Sequence, residues 1–318
     1  MKSKLKALLV SVLTAGLAFT SLSSAGATTS GSSNGFDYST DGTTVTIEGC
    51  TNACSGALTI PEYLSATSDS PVTYIADEAF LNNINITSVS LPITLFAIGD
   101  GAFEANFALE SISIPVFVQS IGDRAFYDTR ALTSVTFEEN SNLVSIGNQA
   151  FQSAAFSTFT IPASVETIGT NVFTSAQNLT SLNVENENTY FKIENNSLLS
   201  IDGTNYIAYP CGLSSPIIPD TVTYIEIGAF YGNGNITSIT FPESLQEIGD
   251  SAFAGNDSLV GIVFNGDLPI GGPGALYSFA YFGGTLYYLT FRSGWDEVEA
   301  DTEYTDPQDP DAVGLTLH

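Results

Sequence analysis

One short phrase, written seven times, decides what this chain can fold into. It reads Ile75-Ala-Asp-Glu-Ala-Phe80, Ile98-Gly-Asp-Gly-Ala-Phe103, Ile121-Gly-Asp-Arg-Ala-Phe126 and Ile146-Gly-Asn-Gln-Ala-Phe151. It returns as Ile168-Gly-Thr-Asn-Val-Phe173, Ile225-Glu-Ile-Gly-Ala-Phe230 and Ile248-Gly-Asp-Ser-Ala-Phe253. The closing Phe recurs after 23, 23, 25, 22, 57 and 23 residues. A unit this small cannot bury its own apolar face, so the copies must stack into one elongated body. Length alone would suggest about two domains; the repeat overrides it.

A fixed period between 20 and 29 residues is that of a leucine-rich repeat solenoid. Each repeat has two halves. The first is a short strand, seen in Ile86-Thr-Ser-Val-Ser-Leu91, Leu109-Glu-Ser-Ile-Ser-Ile114 and Leu132-Thr-Ser-Val-Thr-Phe137. Phe156–Ile161, Leu179–Val184 and Ile236–Phe241 follow the same pattern. Apolar residues at its first, fourth and sixth positions point inward, and the alternation at its end is a strand signature. A Pro commonly follows (Pro92, Pro115, Pro162, Pro242) and ends the pairing, because it has no N–H to donate. The second half carries the phrase, whose Ile and Phe should form two stacked columns inside. The expected architecture is a β-rich solenoid with a parallel concave sheet and short helical or irregular convex turns.

Both ends and one insertion depart from the period. Residues 1–27 read as a signal peptide: Lys2, Lys4 and Lys6, an apolar run from Leu8 to Phe19, then Ala25-Gly26-Ala27. The alternative is a membrane anchor, but the run is shorter than the roughly 20 residues of a spanning helix. Residues 28–57 read as a flexible lead-in over 28–35 and a capping hairpin around Asp41-Gly42. The solenoid then occupies 58–262. The 57-residue interval holds one ordinary repeat and an extra alternating stretch, expected as a hairpin protruding at about 185–215. Residues 263–295, with the sole Trp295, read as a C-terminal cap, and 296–318 as a loosely ordered acidic tail.

Charge and cysteines narrow the function. The chain carries 34 acidic and seven basic residues, a net charge of −27. Beyond Ala27 only Arg124, Arg130, Lys192 and Arg292 are basic. Nucleic acid is thereby disfavoured as a partner, since phosphate contacts need Lys and Arg. Anionic membranes are disfavoured likewise, and no segment of the mature chain is expected to insert. Solubility in a salty exterior accounts for the acidity. A calcium role is the sharper alternative, but no EF-hand loop or glycine-aspartate nonapeptide appears. Cys50 and Cys54 lie in a turn-rich stretch and read as a local disulfide. Zinc would need two further ligands nearby. Cys211 is left over, as a buried small hydrophobe or an exposed thiol.

Catalytic chemistry finds little footing. The one His is His318, so a Ser-His or Cys-His pair is implausible. No phosphate-binding loop appears, and neither metal nor cofactor is expected. Asp77, Asp100, Asp123 and Asp250 share one slot of the repeat, where capping the following turn is the expected role. The five Asn-x-Ser/Thr sequons at Asn85, Asn178, Asn195, Asn235 and Asn256 matter only if the source organism glycosylates.

The candidate binding surface is the outer face of the stacked strands. Its outward residues are Ser88, Ser90, Ser111, Ser113, Ser134, Thr136, Thr158, Thr160, Ser181, Asn183, Ser238 and Thr240. Short β-compatible side chains suit a crowded inner surface even without a ligand. A groove for protein or glycan is the functional alternative. An ordered hydroxyl array for ice or a crystalline polymer is a third, against which the 25-residue repeat and the insertion both count.

The strand-Pro-Ile-Gly-Asp-x-Ala-Phe unit closely resembles the BspA-type leucine-rich repeat of secreted and surface proteins, over about residues 45–295. Asn188-Thr-Tyr-Phe191 through Ile207-Ala-Tyr-Pro210 looks like a hairpin that recurs in that family. Gly284-Thr-Leu-Tyr-Tyr-Leu289 with Gly294-Trp295 looks like its usual closure. The resemblance implies adhesion to matrix proteins, other cells or host receptors, and brings no catalytic residues. The end of the sequence shows no obvious wall-sorting signal or membrane anchor, which tells against permanent attachment. The expectation is therefore a secreted, non-enzymatic protein that recognises an extracellular protein, glycan or cell surface. The competing readings are a glycan-cleaving enzyme using paired carboxylates and a self-assembling structural module.

Overall fold

A computed structural model describes residues 28–267 apart from 53 and 68, together with 269, 285–288 and 316–317. Each repeat forms one coil with two parallel strands. The long strands are Ile86–Ser90, Ser111–Ile114, Ser134–Phe137, Thr158–Ile161, Ser181–Val184, Ser238–Phe241 and Gly261–Phe264. The short strands come from the phrase: Val72–Ile75, Ala97–Ile98, Ser120–Ile121, Ser145–Ile146, Thr167–Ile168, Tyr224–Ile225 and Glu247–Ile248. The short strands pair in register from coil to coil in two runs, the first of which sets Ile75, Ile98, Ile121, Ile146 and Ile168 in one row and the second Tyr206, Ile225 and Ile248 in another. Pro92, Pro115, Pro162 and Pro242 end the long strands as expected. Each accepts an N–H from the residue three further on (Leu95, Val118, Val165, Leu245), which starts the bend.

The core lies between the two rows. Phe80, Phe103, Phe126 and Phe151 stack with ring centroids 5.0, 5.4 and 5.3 Å apart. A second stack, Tyr206, Phe230 and Phe253, has spacings of 4.9 and 4.7 Å. Between them Phe173 leaves the column and packs on Phe159 at 4.9 Å. Offset aromatic pairs at these distances add about 0.5–1.5 kcal/mol each beyond area burial.

The convex turns are irregular rather than helical. Among the described residues there is no α-helix, and the one 3-10 turn is Ser65–Thr67, ahead of the repeats. Two left-handed residues shape each turn instead. One stands two positions before the phrase Phe (Glu78, Gly101, Arg124, Gln149, Asn171, Gly228, Ser251). The other stands two positions after it (Asn82, Ala105, Asp128, Ser153, Ser175, Gly232, Gly255). Most of the left-handed residues point their N–H groups at the next coil: Arg124 donates to Asn148 O at 2.8 Å, and Asp128 to Gln152 O at 2.9 Å. That inter-coil ladder fixes the conformation even where the residue is not glycine.

Three segments differ from the sequence reading. The lead-in at 28–35 contains a strand, Thr29–Ser33, paired antiparallel with Phe36–Thr40 across an Asn34-Gly35 turn. Asn-Gly supplies the two positive φ angles of such a turn (55° and 85°), which closes a hairpin inside the Ser/Thr/Gly-rich stretch. The Asp41-Gly42 hairpin does form, and Val45–Cys50 then pairs parallel with Val72–Ile75, so the N-terminal strands cover the first coil.

The insertion does not protrude. Phe191–Glu194, Ser197–Ser200 and Asn205–Ala208 form an antiparallel meander, and Asn205–Ala208 pairs parallel with Tyr224–Ile225. Tyr206 thus takes the Ile slot of a missing phrase, with Phe191, Leu198 and Leu199 buried beside it. Apolar faces on all three strands make burial in the stack more favourable than projection into water.

At the C-terminal end, Thr285–Tyr288 adds one more parallel rung beside Gly261–Phe264. Thr316–Leu317 pairs with it in turn, a strand where the tail was expected to be loose. The expected signal peptide, Trp295 and most of the expected cap and tail lie outside the described residues.

Candidate functional site

The long strands carry the expected polar face. Ser90, Ser111, Ser113, Ser134, Thr136, Thr158, Thr160, Asn183, Ser238 and Thr240 are exposed, and Ser88 and Ser181 are half-buried. Their sequence neighbours Val89, Ile112, Phe159, Leu182 and Ile239 point into the core. The twelve do not form one lattice. Ser88, Ser111 and Ser134 stand in register, as do Ser113 and Thr136. Thr158 and Thr160 oppose Ser181 and Asn183 in a separate two-stranded ladder, because the row breaks at the 25-residue repeat. Ser238 and Thr240 lie in a third sheet beyond the insertion.

The short strands present a different surface. A groove of about 760 Å3 runs along them, reaching from Thr46 to Gly169. Its floor is the in-register series Tyr74, Ala97, Ser120, Ser145 and Thr167, followed by the phrase glycines. These glycines are required by close approach rather than by φ. A Cβ on Gly99, Gly122, Gly147 or Gly169 would stand 2.5–2.6 Å from a backbone nitrogen of the coil before it. Ala76 and Glu226 are allowed in the same slot because each opens a run. Beneath them lie Val45–Cys50 and Asn205–Ala208, which carry no phrase.

Along one rim runs an acidic ladder. The Asp77 carboxylate accepts the backbone N–H of Asp100 at 2.8 Å, and Asp100 accepts that of Asp123 at 2.7 Å. Asp123 accepts from the backbone and side-chain nitrogens of Asn148, which accepts from Thr170. The slot does bind backbone N–H groups, but those of the next coil instead of its own turn. Burial, and behind it the charges of Asp77 and Asp123, push the Asp100 carboxyl above its ordinary range, against the hydrogen bond from Asp123. The three described cations are spent elsewhere: Arg124 pairs with Glu104, Arg130 with Asp128 and Lys192 with Glu194.

The remaining reactive groups are quiet. Cys211 is buried, and burial raises its thiol to about 11, so it is the small hydrophobe of the two readings. The Cα atoms of Cys50 and Cys54 lie 6.0 Å apart, within disulfide range. Half-burial raises Glu226, whose carboxylate takes a hydrogen bond from Asn205 at 3.0 Å and feels Glu247. Among the described residues no three His, Cys, Asp or Glu side chains are grouped to hold a metal, and no helix is long and apolar enough to cross a membrane. Of the sequons, Asn256 is buried with its amide bonded to Phe230 O and Phe253 O, while Asn85 and Asn195 are exposed.

The coil geometry has solved counterparts. The pneumococcal vaccine antigen PcpA aligns with a TM-score of 0.63 at 21% identity, over 91% of this chain and 81% of that one. A leucine-rich repeat protein from Bacteroides ovatus aligns at 0.57 and 22%, over 92% and 75%. One from Eubacterium ventriosum aligns at 0.50 and 21%, over 92% and 85%. No curated protein matches the sequence. The family model for the BspA type leucine rich repeat region matches residues 73–200 and 201–283, in six copies. With more than half its length so matched, the chain belongs to the BspA-type leucine-rich repeat family.

Proposed function

We propose that this protein is a secreted, non-enzymatic recognition module that attaches to an extracellular protein, glycan or cell surface through the outward face of its long strands. The observation that carries this reading is the row of short, uncharged side chains held in register on an otherwise acidic body. Such a face needs no desolvation of charge when a partner covers it, which favours contact. The repeated carboxylates support a binding role over glycan cleavage, because they are engaged in joining coils. The basic, apolar, small-residue order of residues 1–27 supports export.

The test is binding of the purified chain from Thr28 onward to an array of matrix proteins, glycans and whole cells at physiological salt. A saturable partner should be held about tenfold more weakly by Ser134→Arg or Thr136→Arg, at unchanged melting temperature. Equal binding by both variants would remove this face from the reading. Hydrolysis of an arrayed glycan would replace recognition by catalysis.

A further inference from the structure

We infer a second site, distinct from the long-strand face: the groove along the short strands binds an extended, Lys- or Arg-rich segment of a partner protein. Six strands line it, so it is about 24 Å long at the spacing of paired strands. That length accommodates about seven residues of extended chain. Past Tyr74 at one end, the floor is smooth because its side chains are small: Ala97, Ser120, Ser145 and the intervening glycines. A backbone can lie close on such a floor, as it could not on the Phe- and Ile-filled interior.

Charge selects the occupant. Asp77, Asp100 and Asp123 line the groove in consecutive coils, and among the described residues no Lys or Arg does. The ladder uses Oδ1 of Asp77 and Asp100, so their Oδ2 atoms are not committed to it. Stacked carboxylates repel one another, and for Asp100 the charges of Asp77 and Asp123 add to the burial that chiefly raises its carboxyl. A cationic chain relieves that repulsion, whereas an anionic ligand adds to it. Lysines at alternate positions of an extended peptide project to one side about 7 Å apart, within reach of carboxylates one or two coils apart.

The experiment uses the chain from Thr28 with three labelled peptides of equal length: alternating Lys-Ser, Glu-Ser and Gly-Ser. Fluorescence anisotropy at low and at physiological salt reads their binding. The Lys-Ser peptide should bind, weaken with salt and exceed both others. The triple variant Asp77→Asn, Asp100→Asn, Asp123→Asn should weaken it about tenfold. The fold should survive, because Asn148 already fills this slot and keeps the ladder. The control triple Glu110→Gln, Glu139→Gln, Glu187→Gln removes the same charge from other exposed positions and should leave binding unchanged. Equal weakening by both triples would mean diffuse attraction to an acidic body and would overturn the site. So would absence of Lys-Ser binding at low salt, or equal binding of Gly-Ser.

Discussion

Two neighbouring slots of the phrase show opposite demands on a residue. Gly147 has ordinary φ, but a Cβ there would meet the Asp123 nitrogen at 2.5 Å. Gln149, two positions on, holds φ of 56° without being glycine. Left-handed backbone costs a non-glycine residue about 1–2 kcal/mol, partly offset by the greater entropy glycine loses on folding. Gln149→Gly should therefore be neutral or stabilising by up to about 1 kcal/mol. Gly147→Ala should destabilise by about 1–3 kcal/mol through overpacking. Thermal unfolding of the two variants checks the pair. A Gly147→Ala protein that melts with the parent would refute the close-approach account.

At the scale of elements, the insertion decides how the two halves of the solenoid join. The apolar core divides there, one cluster ending at Leu198 and the other beginning at Leu199. Tyr206 sits at the join, stacked on Phe230, with its hydroxyl 2.5 Å from Ser197 Oγ and both residues fully buried. Tyr206→Phe leaves the buried Ser197 hydroxyl only its long bond to Asn195 O, 3.4 Å, and should cost about 1–2 kcal/mol. Adding Ser197→Ala should restore most of that loss, since removing both partners leaves nothing unsatisfied. Urea unfolding of the single and double variants measures the coupling. Simple additivity would show that the bond contributes nothing to the join.

For the whole molecule, the governing number is the net charge of −27. Inter-coil hydrogen bonds line carboxylates up instead of dispersing them, as along Asp77, Asp100 and Asp123. Salt should therefore stabilise this fold by screening self-repulsion. The melting temperature should rise by a few degrees between about 10 mM and about 0.5 M sodium chloride, where the Debye length falls from about 30 Å to a few ångströms. A flat or falling profile would show that the stacked carboxylates do not limit stability.

The sequence by itself determined the stacked architecture, the in-register Ile row and the Phe stack, because seven copies repeat the same apolar spacing and any coil must bury it. It also determined which face of the long strands is polar, since alternation within a strand is local. Only the tertiary structure decided the rest. The left-handed slots hold Glu, Gly, Arg, Gln, Asn and Ser, with no shared chemistry to mark them, since their conformation is set by bonds to the next coil. The insertion's alternation predicted strands but could not say that Tyr206 would enter the short-strand row. The groove was hidden for the same reason. Ala97, Ser120, Ser145 and the glycines are unremarkable along the chain, and they make a hollow only when residues 22 to 25 apart are brought side by side.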